Sequence, residues 1–237
     1  MNKRIVLPLL IVAPLITSCK GGIVSTTFAR GVVANIESIL GSGNHAYKKF
    51  TYKFSSTYGE ETQYIKVTFD NVAQFYNKYV ITYTPNADGV YEYHTNEYWS
   101  YVKDNKYYDV IRVDGAHSDA EPIVTYVDGD GPKEYKDEYW DDKSSEVIEE
   151  LHTNYLYYSL RNISSLIDYK DVVSRADVTL SSMNDSSICA EGEVDGVTFK
   201  YQIDNAFLSE YSFQYDSTHK KCFTCNYKRA QITYLNL

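Results

Sequence analysis

The side chains best suited to chemistry are the thiols of Cys189, Cys222 and Cys225, with His219 close before the second. Cys222-Phe223-Thr224-Cys225 is a CxxC motif. Redox-active CxxC pairs sit at helix N-termini, where the dipole lowers the thiol pKa. Here the motif opens a predicted strand, so the redox reading lacks that support. His219-x2-Cys222-x2-Cys225, joined by Cys189, has the donor set of a Cys3His zinc site. Strand order speaks against Cys189 joining it. Cys189 starts the first strand of a final meander and Cys222 starts the fourth. In an up-and-down order those starts lie at opposite ends of the sheet, ~23 Å apart for seven-residue strands. A disulfide needs Cα atoms within about 7 Å. A local Cys222–Cys225 disulfide and free thiols both stay open, with metal behind them. No metal or other cofactor is expected.

Other chemistry finds little to stand on. Asp128-Gly129-Asp130-Gly131 begins like a calcium loop, but Pro132 occupies the third ligand place, and a turn accounts for the run. Carboxylates are too abundant for any pair to mark a glycosidase. The sequence holds no Gly-x-Ser-x-Gly, His-Glu-x-x-His or phosphate-cradling glycine loop. His45, His94, His117, His152 and His219 are scattered among polar residues. No enzyme is expected. The formal charge is −9, with 32 acidic against 23 basic residues. That balance excludes a nucleic-acid partner, which attracts lysine and arginine clusters.

Cys19 is a different kind of site. Lys3 and Arg4 precede an apolar run from Ile5 to Ile16, then small Thr17 and Ser18, then Cys19. A basic start, a short apolar stretch and a small-residue cleavage site describe a secretory signal peptide. The run is too short to span a bilayer, which takes about 20 residues. Leu15-Ile16-Thr17-Ser18-Cys19 resembles the lipobox of bacterial lipoproteins. The resemblance implies that residues 1–18 are cut away and that Cys19 becomes a diacylglycerol-modified N-terminus. Residues 19–24, with Lys20-Gly21-Gly22, then form a flexible tether. The expected setting is the extracytoplasmic side of a bacterial membrane, held by lipid. Fatty chains anchor at ~0.8 kcal/mol per buried methylene.

The elements that would carry these residues follow from periodicity. Phe28, Val32, Ile36, Ile39 and Leu40 recur at helical spacing before Gly41 and Gly43. From Tyr47 the period becomes two. Phe50-x-Tyr52-x-Phe54, Ile65-x-Val67-x-Phe69 and Tyr79-x-Ile81-x-Tyr83 alternate, and the pattern continues to Val113. Tyr58-Gly59-Glu60, Pro85 to Gly89 and Asp104-Asn105 are turns between them, which makes the strands an antiparallel meander. Ile123 to Val127 is a short strand. Lys133 to Lys143 reads as an exposed, charged excursion. A helical insert over about 144–175 carries Val147, Ile148, Leu151, Tyr155 and Tyr158 on one stripe. A strand over Ser187 to Val194 follows, then Asp195-Gly196 as a hairpin turn. Two more alternating strands come next, and a long last one from Phe223 to Tyr234.

This order gives one domain over 25–237 of the α+β class: a curved antiparallel β-sheet, half-barrel-like, with an N-terminal helix and an inserted helical lid. The order of elements resembles the lipoprotein-carrier-like fold of periplasmic lipoprotein carriers and mycobacterial lipid-binding lipoproteins. The resemblance implies an apolar or amphiphilic ligand, a lipid or lipoprotein, enclosed between sheet and lid. Tyr79, Tyr83, Phe199 and Tyr201 from the sheet, with Leu151 and Tyr155 from the lid, are the candidate lining residues. A core simply filled by these side chains is the alternative. It would suit a surface module meeting a protein or glycan partner, for which 25 tyrosines supply amphipathic rings.

Overall fold

The computed structural model describes residues 48–115, 123–126, 131–157, 178–184, 187–204 and 207–236. The leader, Cys19, the tether, the helix expected near Phe28 and the part of the insert beyond residue 157 lie outside the described residues. The described residues form one antiparallel sheet. Its strands are β1 Lys49–Tyr58, β2 Glu61–Asp70, β3 Phe75–Pro85, β4 Tyr91–Lys103, β5 Lys106–Gly115 and β6 Ile123–Tyr126. They continue with the short β7 Lys133–Glu134, then β8 Val178–Asn184, β9 Ser187–Val194, β10 Val197–Asp204, β11 Phe207–Gln214 and β12 His219–Asn226. The spatial order is β6-β5-β4-β3-β2-β1-β12-β11-β10-β9-β8, with β7 against β5. Two meanders are therefore joined along β1 and β12, and the sheet is open, with β6 and β8 at its edges.

Turn chemistry sets the register. Gly59 has φ 61°, and Tyr58 pairs with Glu61 across it. Asp104 and Asn105 both have positive φ, as do Asp195 and Gly196. Two such residues match the right-handed twist of the flanking strands. The Pro85–Gly89 turn is held by the Asn86 carboxamide, whose Oδ1 accepts from the N–H of Asp88 at 3.0 Å and of Val90 at 2.9 Å.

One face of the sheet carries the larger core. Phe50, Tyr52 and Phe54 of β1 stand beside Phe69, Val67 and Ile65 of β2. Phe223 of β12 pairs with Phe54, and Tyr211 of β11 pairs with Phe223. Phe213 and Phe199 extend the row of rings. Among the described residues one α-helix packs on this face: α1, Asp137–Glu150, continued by a π-helical segment over Leu151–Tyr157. β7 lies against β5, toward the end of the sheet opposite β8.

The helix start corrects the sequence reading. The stretch expected as an exposed excursion is the first half of α1, and Trp140 is only 2% exposed. Its indole stacks on Phe69 at 6.1 Å and donates Nε1–H to Asn71 Oδ1 at 3.0 Å. Trp140, Ser144, Val147 and Ile148 recur at helical spacing and are buried. The stripe was hidden because Ser144 is polar and charged residues surround Trp140. Asp137 and Glu138 in the first turn face the positive end of the helix dipole. Lys78 of β3 reaches Glu150 at 2.5 Å and ties the far end of α1 to the sheet.

The opposite face holds a second cluster of Phe75, Trp99, Tyr101 and Val110. It is covered by the C-terminal segment after β12, through Ile232, Tyr234 and Leu235. The last strand expected to run from Phe223 to Tyr234 therefore ends at Asn226. There Asn226 Oδ1 accepts from the Lys228 N–H at 2.9 Å and turns the chain. The remainder is a strap, not a strand.

Candidate functional site

The six residues expected to line one cavity are split by the sheet. Phe199, Tyr201, Leu151 and Tyr155 are all in the helix-side core, each below 8% exposure. Tyr155 packs its ring on Tyr52 at 4.9 Å, on Phe54 at 5.1 Å and on Phe223 at 6.1 Å. Those contacts fill the space between α1 and the sheet with side chains. Tyr79 and Tyr83 lie on the other face, where Tyr83 packs on Tyr64 and Tyr93. These six residues therefore cannot enclose one ligand. The physical reason is period: Tyr79 and Tyr83 occupy the odd positions of β3, while its helix-side positions are Tyr76 and Val80.

Among the described residues, Cys189, Cys222 and Cys225 are thiols outside any disulfide. Cys222 and Cys225 are three residues apart on a strand, about 10 Å by strand rise, and they point to opposite faces. That spacing excludes the local disulfide. Cys225 is buried beneath the helix-side rings, and burial pushes its thiol up to about 12, which makes it a poor nucleophile. Cys189 and Cys222 are not at opposite ends of the sheet, as expected from the sequence. Cys189 pairs with Gln202, Gln202 with Glu210, and Glu210 with Thr224. The two thiols are kept apart sideways, by three strand spacings of roughly 4.8 Å. β12 begins at His219 rather than at Cys222, which removes the lengthwise offset. His219 is bonded to Asp216 and lies edge-on to the Tyr58 ring at 4.3 Å. Among the described residues no group of three His, Cys, Asp or Glu side chains could hold a metal ion.

The feature that stands out lies on the strap side, over β12, β1 and β2. Here two adjoining depressions share Lys53, Lys66 and Thr224. The first has a volume of about 300 Å³ and is walled by Ser55, Tyr64, Tyr79 and Cys222. Phe54, Ile65 and Phe223 contribute to its floor while packing into the core beneath. The second, about 420 Å³, runs toward the strap and is bounded by Thr51, Asn226, Arg229 and Gln231. The first is lined mostly by carbon: tyrosine rings, lysine stems and a thiol. The second is rich in hydroxyl, amide and guanidinium donors. Together they form one groove, apolar beside Tyr64 and Tyr79, with Lys53 and Lys66 where the two depressions meet and Arg229 toward the strap. Both volumes fall in the range of small-molecule sites.

Sequence reasoning named Tyr79 and Cys222 but missed Lys53, Lys66 and Arg229. The signal for the lysines was present. A two-residue turn at Gly59-Glu60 pairs Tyr58 with Glu61, and counting back along both strands puts Lys53 opposite Lys66. Arg229 carried no such signal, because its place depends on the strap folding back. A scan against protein-family models finds no match, and a search of curated proteins finds none either.

Proposed function

We propose that this chain is a lipid-anchored protein of the extracytoplasmic side of a bacterial membrane that binds an amphiphile and catalyses nothing. One observation carries the reading: the groove across β12, β1 and β2, with tyrosine rings at one end, Lys53 and Lys66 at its middle and Arg229 toward the strap. The anchor rests on the lipobox-like run ending at Cys19. The reading keeps the carrier-like plan of a curved sheet with an N-terminal helix and an inserted lid. It moves the ligand from beneath the lid, where rings fill the space, to the opposite face.

A second reading has its own support. Tyr58, Tyr64 and Tyr91 are 77%, 48% and 59% exposed. Exposed tyrosines are favoured where one protein meets another or meets a glycan. A surface module of that kind would need no groove.

Two measurements test the proposal. In detergent phase separation the parent protein should enter the detergent phase and Cys19→Ala the aqueous phase. The full chain carrying Cys19→Ser, which cannot be acylated, should bind a fluorescent fatty acid at about one per chain. Partition of Cys19→Ala like the parent would remove the anchor. Failure to bind the fatty acid would leave the interaction module as the better reading.

A further inference from the structure

We infer that the groove selects its amphiphile by charge, taking an anionic head group on Lys53, Lys66 and Arg229. The inference rests on the amphiphile reading above and narrows it to a ligand class.

Lys53 of β1 and Lys66 of β2 are direct cross-strand partners. Directly opposed residues of an antiparallel pair have Cβ atoms about 5 Å apart, and like charges there are destabilising. The usual remedy is a neighbouring carboxylate. The same row across the sheet runs Glu210, Thr224, Lys53, Lys66, Tyr79, Glu97. Both carboxylates in it are already engaged. Glu97 accepts from Arg112 at 2.8 Å and from Asn77 at 2.9 Å. Glu210 is bound by Lys200 at 3.0 Å. Lys53, Lys66 and Arg229 make no ion pair among the described residues. A chain with 32 acidic and 23 basic residues thus leaves three exposed cations around one depression, without a counter-charge among the described residues.

A second opposed pair shows what an ordinary case looks like. Lys103 and Lys106 also face each other, but they flank the Asp104-Asn105 turn at the ends of their strands. Lys103 is further occupied over the Tyr234 ring at 5.8 Å. Lys53 and Lys66 sit mid-strand in the central part of the sheet. A carboxylate, phosphate or sulfate between them would cancel the repulsion and accept from Arg229 and Thr224. The carbon-lined depression beside Tyr64 and Tyr79 would take the chain attached to that head.

The test uses the full Cys19→Ser chain and single-chain probes below their micelle concentrations. By calorimetry, dodecyl phosphate should bind at least tenfold more tightly than dodecyl maltoside, and dodecyltrimethylammonium should not bind. The double variant Lys53→Glu/Lys66→Glu should lose the preference, while Lys106→Glu should keep it. Lys66→Gln separates folding from binding. Relief of the opposed charges should raise Tm, while affinity for dodecyl phosphate falls several-fold. Inorganic phosphate at millimolar concentration should not compete. Equal binding of the phosphate and maltoside probes would overturn the charge selection and leave the amphiphile reading standing. Competition by inorganic phosphate as effective as that of dodecyl phosphate would overturn it too, in favour of a simple anion site. No binding of any probe would sink the amphiphile reading itself.

Discussion

Trp140→Ala should lower the unfolding free energy by about 3–5 kcal/mol, the usual cost of truncating a buried tryptophan. Domains of this kind are stable by only about 5–15 kcal/mol in total, so the loss is large. Trp140 is buried at 2% exposure, stacks on Phe69 and donates to Asn71. It is the buried aromatic that docks the first turns of α1, while Tyr139 beside it packs on Tyr107 at 5.5 Å nearer the surface. Trp140→Phe keeps a ring on Phe69 and removes the N–H together with part of the indole's buried area. Asn71 Oδ1 still has the Ser144 hydroxyl at 3.4 Å, so this variant should lose about 1–2 kcal/mol. Urea unfolding followed by the fluorescence of Trp99 measures both. A Trp140→Ala variant within 1 kcal/mol of the parent would mean that the start of α1 is not docked.

The second large effect is alkaline unfolding. Burial, followed by the nearby Glu150 carboxylate, pushes the Tyr155 phenol up to about 12. Burial pushes Tyr201 up to about 12 as well. Tyr52 and Tyr76 are also raised, chiefly by burial. A tyrosine in the unfolded chain ionises near 10. The folded state therefore holds protons that the unfolded state releases. This contribution is fully present below pH 10 and is lost as pH rises from 10 to 12. Each such phenol weakens the fold by roughly 1.4 kcal/mol per pH unit across that window. Cys225, also held near 12 by burial, adds to the loss from about pH 9. Phenolate absorbance should rise gradually with the exposed tyrosines. It should then jump together with loss of the far-ultraviolet strand signal between pH 10 and 12. A smooth titration of all tyrosines near pH 10 with the sheet intact would contradict the buried placement.

Much of the sheet was legible because its signals are local. Asp104-Asn105 and Asp195-Gly196 tolerate positive φ, and a two-residue turn fixes the pairing of the strands that flank it. The strand over Ser187 to Val194 ends where its turn begins, and the first meander follows clean alternation. β8 was missed because its register shifts between Leu180 and Ser182, and a bulge destroys the period of two that betrays a strand. The front of α1 was missed because its buried stripe includes a serine bonded to Asn71. The strap was taken for strand because Ile232 and Tyr234 alternate, yet they cover Phe75 and Tyr101 from outside the sheet.

The groove was half legible. Its lysines could be paired from the turn, but the face they share could not be told from the core face by composition alone. Tyr79 was placed with Phe199 because both alternate with polar neighbours. Only register across several strands separates the two faces.

The proposed binding surface is the groove over β12, β1 and β2. Cys222 lines its apolar end, while Cys189 lies three strands away and Cys225 is buried on the other face. The rate of maleimide alkylation at Cys222, read by mass spectrometry of its peptide with and without dodecyl phosphate, reports occupancy directly. With dodecyl phosphate bound, Cys222 should react several-fold more slowly, with Cys189 unchanged. An unaltered rate at Cys222 under saturating dodecyl phosphate would place the ligand elsewhere and contradict the account.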